Sequence, residues 1–159
     1  MKKYIILIPI YNDKESLAKL IENINLEVKD LNSEISIIVV NDASSQQVID
    51  NYQNIESIHS IKVINMKENR GHARCIASGL KYIFEKKEFD YVIPMDGDGE
   101  DRPEEIKNLI QLAEQSDTKS IVAERVKRSE ILFFKLCYQA HKIITSTFTG
   151  QSIKFGNFT

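Results

Sequence analysis

The sequence predicts an α/β fold in which a mostly parallel sheet is covered by helices on both faces. Short apolar runs alternate with amphipathic, helix-like stretches along the 159 residues, and this alternation favours strands joined through helices. Most of the runs are apolar throughout, which is typical of parallel strands buried on both faces. With 42% hydrophobic and 28% charged residues, a chain of this length is expected to form a single globular domain.

The first elements follow from hydrophobic spacing. Tyr4–Pro9 is an apolar run of strand length and predicts a buried strand. Asp13 then opens a helix that runs to Val28. One face of this helix is apolar: Leu17, Leu20, Ile21, Ile24 and Val28. Glu34–Val40 alternates before it becomes apolar, and it predicts the second strand.

Turn residues divide the next part of the chain. Ser44 and Ser45 are good N-cap residues and predict a helix that continues through Val48, Ile49 and Tyr52. Ile61–Asn65 predicts the third strand. Gly71 separates that strand from a helix whose apolar residues recur at helical spacing: Ala73, Ile76, Ala77, Leu80, Ile83 and Phe84.

Two more strands and a helix are predicted after Phe84. Tyr91–Met95 predicts the fourth strand, and the acidic loop Asp96–Asp101 follows it. Pro103 suits the first turn of a helix that runs to about Gln115. Ser120–Ala123 predicts the fifth strand. Beyond it, the sequence predicts an amphipathic helix and a short extended piece: Glu130–Phe148 and Ile153–Phe158.

Polar residues follow every predicted strand. In a parallel sheet, ligands bind at the carboxyl ends of the strands, so these residues are expected to gather at one rim and form a site. They include Tyr11, Asn12, Asp13, Asn41, Asp42, Ser44, Asn69, Arg70, Gly71, His72, Asp96, Asp98, Arg125 and Arg128. A cap or turn role is the alternative for each residue taken singly.

The acidic pair Asp96 and Asp98 is the sharpest of these features. In extended backbone, residues two apart point the same way, and hard carboxylate oxygens suit Mg²⁺ or Mn²⁺. A calcium EF-hand loop does not fit, because Asp101 and Lys107 stand where it needs Gly and Glu. A haloacid-dehalogenase-type phosphatase carries its acidic pair after the first strand, whereas Asp96 and Asp98 follow the fourth predicted strand. This class of enzyme is therefore disfavoured. A solvated acidic turn with Asp101 as a helix cap stays open.

Four ordered motifs resemble family 2 glycosyltransferases. The first two are Pro9–Asp13, similar to Pro-x-Tyr-Asn-Glu, and Val39–Ser45, similar to Val-Asp-Asp-Gly-Ser. The others are Asn69–Gly71 with the helix after it, similar to Asn-x-Gly, and Met95–Glu104, similar to the Asp-x-Asp region of polyprenyl-phosphate sugar transferases. Two departures are Asn41 in place of the first Asp of a pair and Ala43 in place of Gly.

The resemblance implies a GT-A fold and an inverting, metal-dependent glycosyltransferase that uses a nucleotide-diphosphate sugar. Metal and catalysis are assigned to Asp96 and Asp98, and Arg125 and Arg128 are expected to close over the diphosphate as further catalytic residues. The implied nucleotide-binding residues are Pro9, Tyr11, Asn12, Asp13, Asn41, Asp42, Ser44, Asn69, Gly71 and Arg74. His72 could contact phosphate, although a structural role at the helix start is favoured.

The acceptor is less directly indicated. Glu130 is the last acidic residue, so no convincing general base follows it. A phosphate monoester needs no base, because its second pKa is about 6. A polyprenyl phosphate therefore fits as acceptor. The main alternative is a non-catalytic or truncated nucleotide-sugar-binding module that needs a partner. A nucleotidyltransferase is a more distant alternative, since no Gly-rich basic loop follows the first strand.

Charge and cysteine content complete the expectations. Residues 1–116 hold 14 basic and 20 acidic side chains, whereas residues 117–159 hold 7 and 3, an excess too small to indicate nucleic acid. We expect a donor-binding core over 1–128 and an acceptor-side or interface segment over 129–159. The latter suits a membrane surface or a homodimer, with packing on the sheet as the alternative. Two scattered cysteines predict a cytoplasmic protein. The membrane-surface role of segment 129–159 would place it peripherally at the inner face of the cell membrane.

Overall fold

The computed structural model describes residues 1–48, 52, 54–99, 101–115 and 121. They contain a four-stranded, fully parallel sheet and three helices. The strands are β1 (Lys3–Ile10), β2 (Glu34–Asn41), β3 (Ser60–Asn65) and β4 (Tyr91–Pro94). The helices are α1 (Lys14–Val28), α2 (His72–Lys86) and α3 (Glu104–Gln115).

The strand order is β3-β2-β1-β4, so the chain crosses over between β3 and β4. The register brings three strand ends together, because Ile10 lies opposite Asn41 and Asn41 lies opposite Asn65. The edge strand β4 is shorter, and its last residue, Pro94, pairs with Leu7. The loops that follow all four strands therefore leave the sheet at the same rim.

Strand β1 carries apolar side chains on both faces of the sheet. Ile6 and Ile8 belong to the buried cluster that includes α1 and α3, whereas Ile5 and Leu7 belong to the cluster that includes α2. This is the alternation of side chains expected along a strand. The prediction of a mostly parallel sheet with helices on both faces is confirmed.

Helix α1 begins and packs as its sequence predicts. The Asp13 side chain accepts a hydrogen bond from the Ser16 backbone N–H at 3.1 Å, which satisfies one of the free amides at the helix start. The five residues of the predicted apolar face are all buried: Leu17, Leu20, Ile21, Ile24 and Val28. This face lies in the same buried cluster as that of α3, so both helices cover one side of the sheet.

Helix α2 lies unusually close to the sheet. A Cβ added to Gly79 would lie 2.4 Å from Leu7 Cδ1 and 2.8 Å from Val40 Cγ2, so a larger residue would push the helix outward. One turn earlier, Cys75 Sγ donates a hydrogen bond to the Val40 carbonyl at 3.1 Å. These contacts fix the first half of α2 against the carboxyl half of β2.

The prediction of a helix that starts at Ser44 is wrong for the residues that can be described. The chain from Ala43 to Val48 forms bends and irregular backbone, and Ala43 adopts a left-handed conformation with φ 57°. The two serines, which could have capped a helix, instead bind Asn12 from the loop after β1. The rest of this predicted helix, apart from Tyr52, lies mostly outside the described residues.

Several predictions fall on residues outside the described part of the chain. They are the fifth strand apart from Ile121, the helix Glu130–Phe148 and the extended piece Ile153–Phe158. The division at residue 128 also stays a prediction. Within the described residues, no helix combines the length and the apolar character needed to cross a membrane.

Candidate functional site

Two adjoining clefts lie at the carboxyl rim of the sheet. The first, which we call the acidic cleft, has a volume of about 360 Å³ and is lined by Pro9, Ile10, Tyr11, Asp13, His72, Asp96, Gly97 and Asp98. The second, the Asp42 cleft, measures about 260 Å³ and is lined by Pro9, Ile10, Tyr11, Asp42, Asn69, Gly71, His72 and Cys75. Because four residues line both clefts, a single elongated ligand could occupy the two together.

The acidic loop approaches the rim as a turn rather than as an extended segment. Strand β4 ends at Pro94, and the backbone turns at Gly97 and Asp98. Asp96 is half-buried and Asp98 is exposed, yet both line the acidic cleft. The Asp96 backbone N–H donates a hydrogen bond to Asp101 Oδ2 at 2.8 Å, which closes the loop. Asp101 therefore stabilises this loop. From the sequence alone, Asp101 could also have been the cap of the next helix.

Gly97 is the point at which this loop contacts the central strand. A Cβ at this position would lie 2.8 Å from the Pro9 carbonyl oxygen and 3.2 Å from Ile10 Cδ1. Only glycine lets the loop come this close to β1 without a shift of backbone. The close contact sets the distance between the two acidic residues and the Pro9–Tyr11 segment on the other wall of the cleft.

Asp42 organises the loop after β3. It is 3% exposed, and its two carboxylate oxygens accept hydrogen bonds from the backbone N–H groups of Arg70 and Gly71, each at 2.8 Å. Hydrogen bonds to a carboxylate are stronger than those between neutral groups. Asp42 therefore fixes the residues from which α2 starts, and it does so as one wall of the Asp42 cleft.

A network of amide and hydroxyl groups joins the loops after β1, β2 and β3. The Asn41 side chain donates to Asn65 Oδ1 at 2.8 Å and accepts from the Ser44 N–H at 3.0 Å. The Asn12 N–H donates to Ser44 Oγ, and Asn12 Oδ1 accepts from the Ser45 N–H, both at 2.8 Å. Asn12 has φ 54°, a left-handed conformation that asparagine tolerates.

His72 connects the two clefts. It is the first residue of α2, directly after Gly71, and its Nε2 lies 3.3 Å from Asp96 Oδ1. The sequence favoured a structural role for this histidine, but its position on both clefts makes it part of the site. In the sequence, this role was indicated by the position of His72 directly after Gly71, at the start of a predicted helix.

Cys75 is the buried thiol at the floor of the Asp42 cleft. Burial raises the pKa of the thiol to about 11, and the nearby Asp42 charge adds to the increase. A thiol with such a pKa is neutral near pH 7 and is a poor nucleophile. Cys75 therefore contributes packing and its hydrogen bond to Val40, not covalent chemistry.

The structure brings most of the predicted residues to the two clefts. Those that line a cleft are Pro9, Tyr11, Asp13, Asp42, Asn69, Gly71, Asp96 and Asp98. Three others support the loops through the hydrogen bonds described above: Asn12, Asn41 and Ser44. Arg74 is exposed on α2 and is not among the residues that line either cleft. Arg125 and Arg128 lie outside the described residues.

Asp96 and Asp98 are the residues of the acidic cleft that have the chemistry to hold a divalent cation. Among the residues that can be described, no group of three or more His, Cys, Asp or Glu side chains is arranged to hold a metal on its own. Asp96 and Asp98 supply hard oxygen donors to one cavity. Mg²⁺ is usually held by one or two carboxylates together with substrate phosphates and water, and the donor set here matches that arrangement.

The comparisons with known proteins define the class. The family model described as glycosyl transferase family 2 matches residues 5–157, so the chain belongs to this family. Staphylococcus aureus TarS residues 1–349 superpose with a TM-score of 0.55 at 23% identity, over 71% of this chain and 32% of that one. The same fragment has also been solved in complex with UDP, again with a TM-score of 0.55. The predicted GT-A fold is confirmed.

The names of the curated relatives describe a reaction more specifically than the family name does. The undecaprenyl-phosphate 4-deoxy-4-formamido-L-arabinose transferase of Proteus mirabilis is 31% identical over 156 residues, and that of Yersinia enterocolitica is 32% identical over 157. Each alignment covers 96% of this chain and 46% of the relative. The chain thus spans about half the length of the curated relatives that it matches.

Proposed function

We propose that this chain binds a nucleotide-diphosphate sugar in the two clefts and transfers the sugar to a polyprenyl phosphate. The observation that carries the proposal is the position of Asp96 and Asp98 in a cleft that shares its Pro9–Tyr11 wall with the Asp42 cleft. The two clefts supply adjoining compartments for a nucleoside and for a diphosphate with its sugar. Membership of glycosyl transferase family 2 supports the same function.

The Asp42 cleft is the proposed nucleoside compartment. Its walls combine the apolar surfaces of Ile10 and Cys75 with the polar groups of Asn69 and Asp42. Tyr11, which is 54% exposed, stands where the two clefts meet. An apolar cavity with a few fixed polar groups is the usual form of a small-molecule site. The buried carboxylate of Asp42 would act mainly through the backbone that it holds.

The acidic cleft is the proposed diphosphate compartment. A divalent cation there, Mg²⁺ or Mn²⁺, would neutralise the negative charge that develops on a departing nucleoside diphosphate. Asp96 and Asp98 are the residues proposed to hold it, and Arg125 and Arg128 are proposed to approach the same phosphates. We also propose an inverting transfer, in which the acceptor oxygen displaces the nucleoside diphosphate directly from the anomeric carbon.

A polyprenyl phosphate is the proposed acceptor. The names of the two curated relatives described above include undecaprenyl phosphate. A phosphate monoester is largely ionised at neutral pH, so it can attack without a general base. Since such an acceptor resides in a lipid bilayer, we propose that the protein works at a membrane surface. A homodimer also stays a prediction.

Calorimetry tests the donor half of the proposal. UDP and GDP would be titrated into the purified chain with Mn²⁺ and again with excess EDTA. We expect one nucleotide to bind with Mn²⁺ and to lose at least tenfold in affinity with EDTA, with Asp98→Asn, or with Asp96→Asn. The matched control is Asp90→Asn, because Asp90 accepts a hydrogen bond from the Lys3 N–H at the opposite end of the strands. No binding of either nucleotide would contradict the proposal.

A transfer assay tests the acceptor half. Nucleotide sugars that bind would be incubated with Mn²⁺ and either undecaprenyl phosphate in anionic liposomes or a panel of sugar alcohols. We expect transfer to the lipid phosphate, together with flotation of the protein with the liposomes. Transfer only to hydroxyl acceptors would contradict the polyprenyl-phosphate assignment. Donor binding without any transfer would favour the alternative, a nucleotide-sugar-binding module that needs a partner.

A further inference from the structure

The contact between His72 and Asp96 joins two parts of the chain that the sheet leaves apart. Asp96 follows β4, which pairs with β1 at one edge of the described sheet. His72 starts α2, whose first turns pack at the end of β2. The imidazole Nε2 and Asp96 Oδ1 lie 3.3 Å apart, so the two side chains are in direct polar contact. The pair therefore spans the boundary between the acidic cleft and the Asp42 cleft.

This contact has little value for global stability. The side chains of His72 and Asp96 are 59% and 48% exposed, and exposed pairs of this kind contribute little to the free energy of unfolding. Its geometric effect is larger, because one of the two carboxylate oxygens of Asp96 faces a fixed partner. A carboxylate that is held by an outer partner presents its other oxygen in a defined direction.

The position of His72 is itself determined by Asp42. Both carboxylate oxygens of Asp42 hold backbone amides of the two residues that precede His72, at 2.8 Å each. The Gly71 carbonyl then accepts the first hydrogen bond of the helix from the Cys75 N–H at 3.0 Å. A continuous set of short contacts thus runs from the buried Asp42 through the start of α2 to Asp96.

We propose that His72 is a positioning residue that orients the Asp96 carboxylate toward the acidic cleft and links its orientation to the loop held by Asp42. This inference rests on the proposed function, in which Asp96 and Asp98 bind a divalent cation beside the diphosphate. His72 contacts Asp96 rather than the reacting atoms, so its effect is on the affinity of the cation site.

The test is a titration of the full chain with Mn²⁺, without nucleotide and with UDP or GDP. Electron paramagnetic resonance measures the free Mn²⁺ at each step. We expect His72→Ala and His72→Asn to weaken Mn²⁺ binding by about tenfold, the lower range for loss of an outer partner of a metal ligand. We expect His72→Gln to stay within about threefold of the wild type, because its longer amide can reach Asp96 as Nε2 does. Circular dichroism would establish that each variant is folded.

His59→Ala is the matched control, because His59 Nε2 also lies near a carboxylate, Glu34 Oε1, at 4.0 Å and at the other end of the sheet. It should leave Mn²⁺ affinity unchanged. Wild-type affinity in the Ala and Asn variants would overturn the positioning role while the proposed function stands. Equal loss in the Gln variant would also overturn it. If the wild-type chain binds nucleotide but no Mn²⁺, both the metal assignment and this inference fail.

Discussion

The Asp42 carboxylate accepts a hydrogen bond from the Gly71 backbone N–H at 2.8 Å, across a separation of 29 residues in the sequence. Gly71 has φ 84°, a conformation that favours glycine. Its neighbour Arg70 binds the other oxygen of the same carboxylate. Asp42 is thus the residue through which the end of β2 sets the start of α2, and its substitution gives the first prediction.

Replacement of Asp42 by Asn should lower both stability and nucleotide affinity. An amide offers one acceptor oxygen, so one of the two backbone N–H groups loses its partner, at an expected loss of about 1.5–3 kcal/mol in the free energy of unfolding. Urea denaturation measures the loss, and hydrogen exchange should show faster exchange at Arg70 or Gly71. The control Asp90→Asn changes an exposed carboxylate and should lose clearly less. Equal losses in both variants would contradict the role of Asp42.

Replacement of Gly97 by Ala should separate the two walls of the acidic cleft. The new methyl group would lie 2.8 Å from the Pro9 carbonyl oxygen, and relief of such a contact typically costs about 1–3 kcal/mol of stability. We also expect weaker binding of nucleotide with Mn²⁺. Gly79→Ala is the control, since it introduces a comparable clash between α2 and the sheet. If calorimetry finds equal affinities in the two folded variants, Gly97 has no particular role in the cleft.

Replacement of Tyr4 by Phe should stabilise the protein. Tyr4 is 1% exposed, and its hydroxyl has no hydrogen-bond partner among the described residues. Phenylalanine keeps the stacked contact with Tyr91, whose ring centroid lies 5.4 Å away. Loss of an unpaired buried hydroxyl should raise the free energy of unfolding by about 1 kcal/mol. The control is Tyr91→Phe, which removes a hydroxyl bonded to the Ala113 carbonyl and should give no gain. A decrease in the Tyr4 variant would refute the prediction.

The pH dependence of stability should contain a contribution from Cys75. Burial raises the pKa of its thiol from 9.0 to about 11. Below pH 9 the thiol is neutral in both states, whereas between pH 9 and 11 only the unfolded state ionises. Stability is therefore lost as pH rises through this window. Cys75→Ala removes this contribution, so the stability difference between wild type and variant should shrink from pH 8 to pH 10.5 under reducing conditions. A constant difference would exclude it.

Much of the architecture could be predicted from local pattern alone. The strands β1 to β4 are short runs rich in apolar residues, a pattern that hardly depends on the rest of the chain. The Asp13 cap and the apolar face of α1 are also sequence features. The segment that starts at Ser44 was different. The hydroxyl groups of Ser44 and Ser45 can accept hydrogen bonds from a helix start or from another loop equally well. Contacts with Asn12 decide between these alternatives, and no local pattern contains that information.

The sequence by itself determined the sheet, the order of the strand-end motifs and the acidic pair at the rim, because these depend on spacing within short segments. Only the tertiary structure decided what each polar side chain does there. It turned Asn41 and Asp42 inward as supports for loops and placed His72 against Asp96. These roles depend on contacts between residues far apart in the chain, and such contacts form only when parallel strands bring their carboxyl ends to one rim.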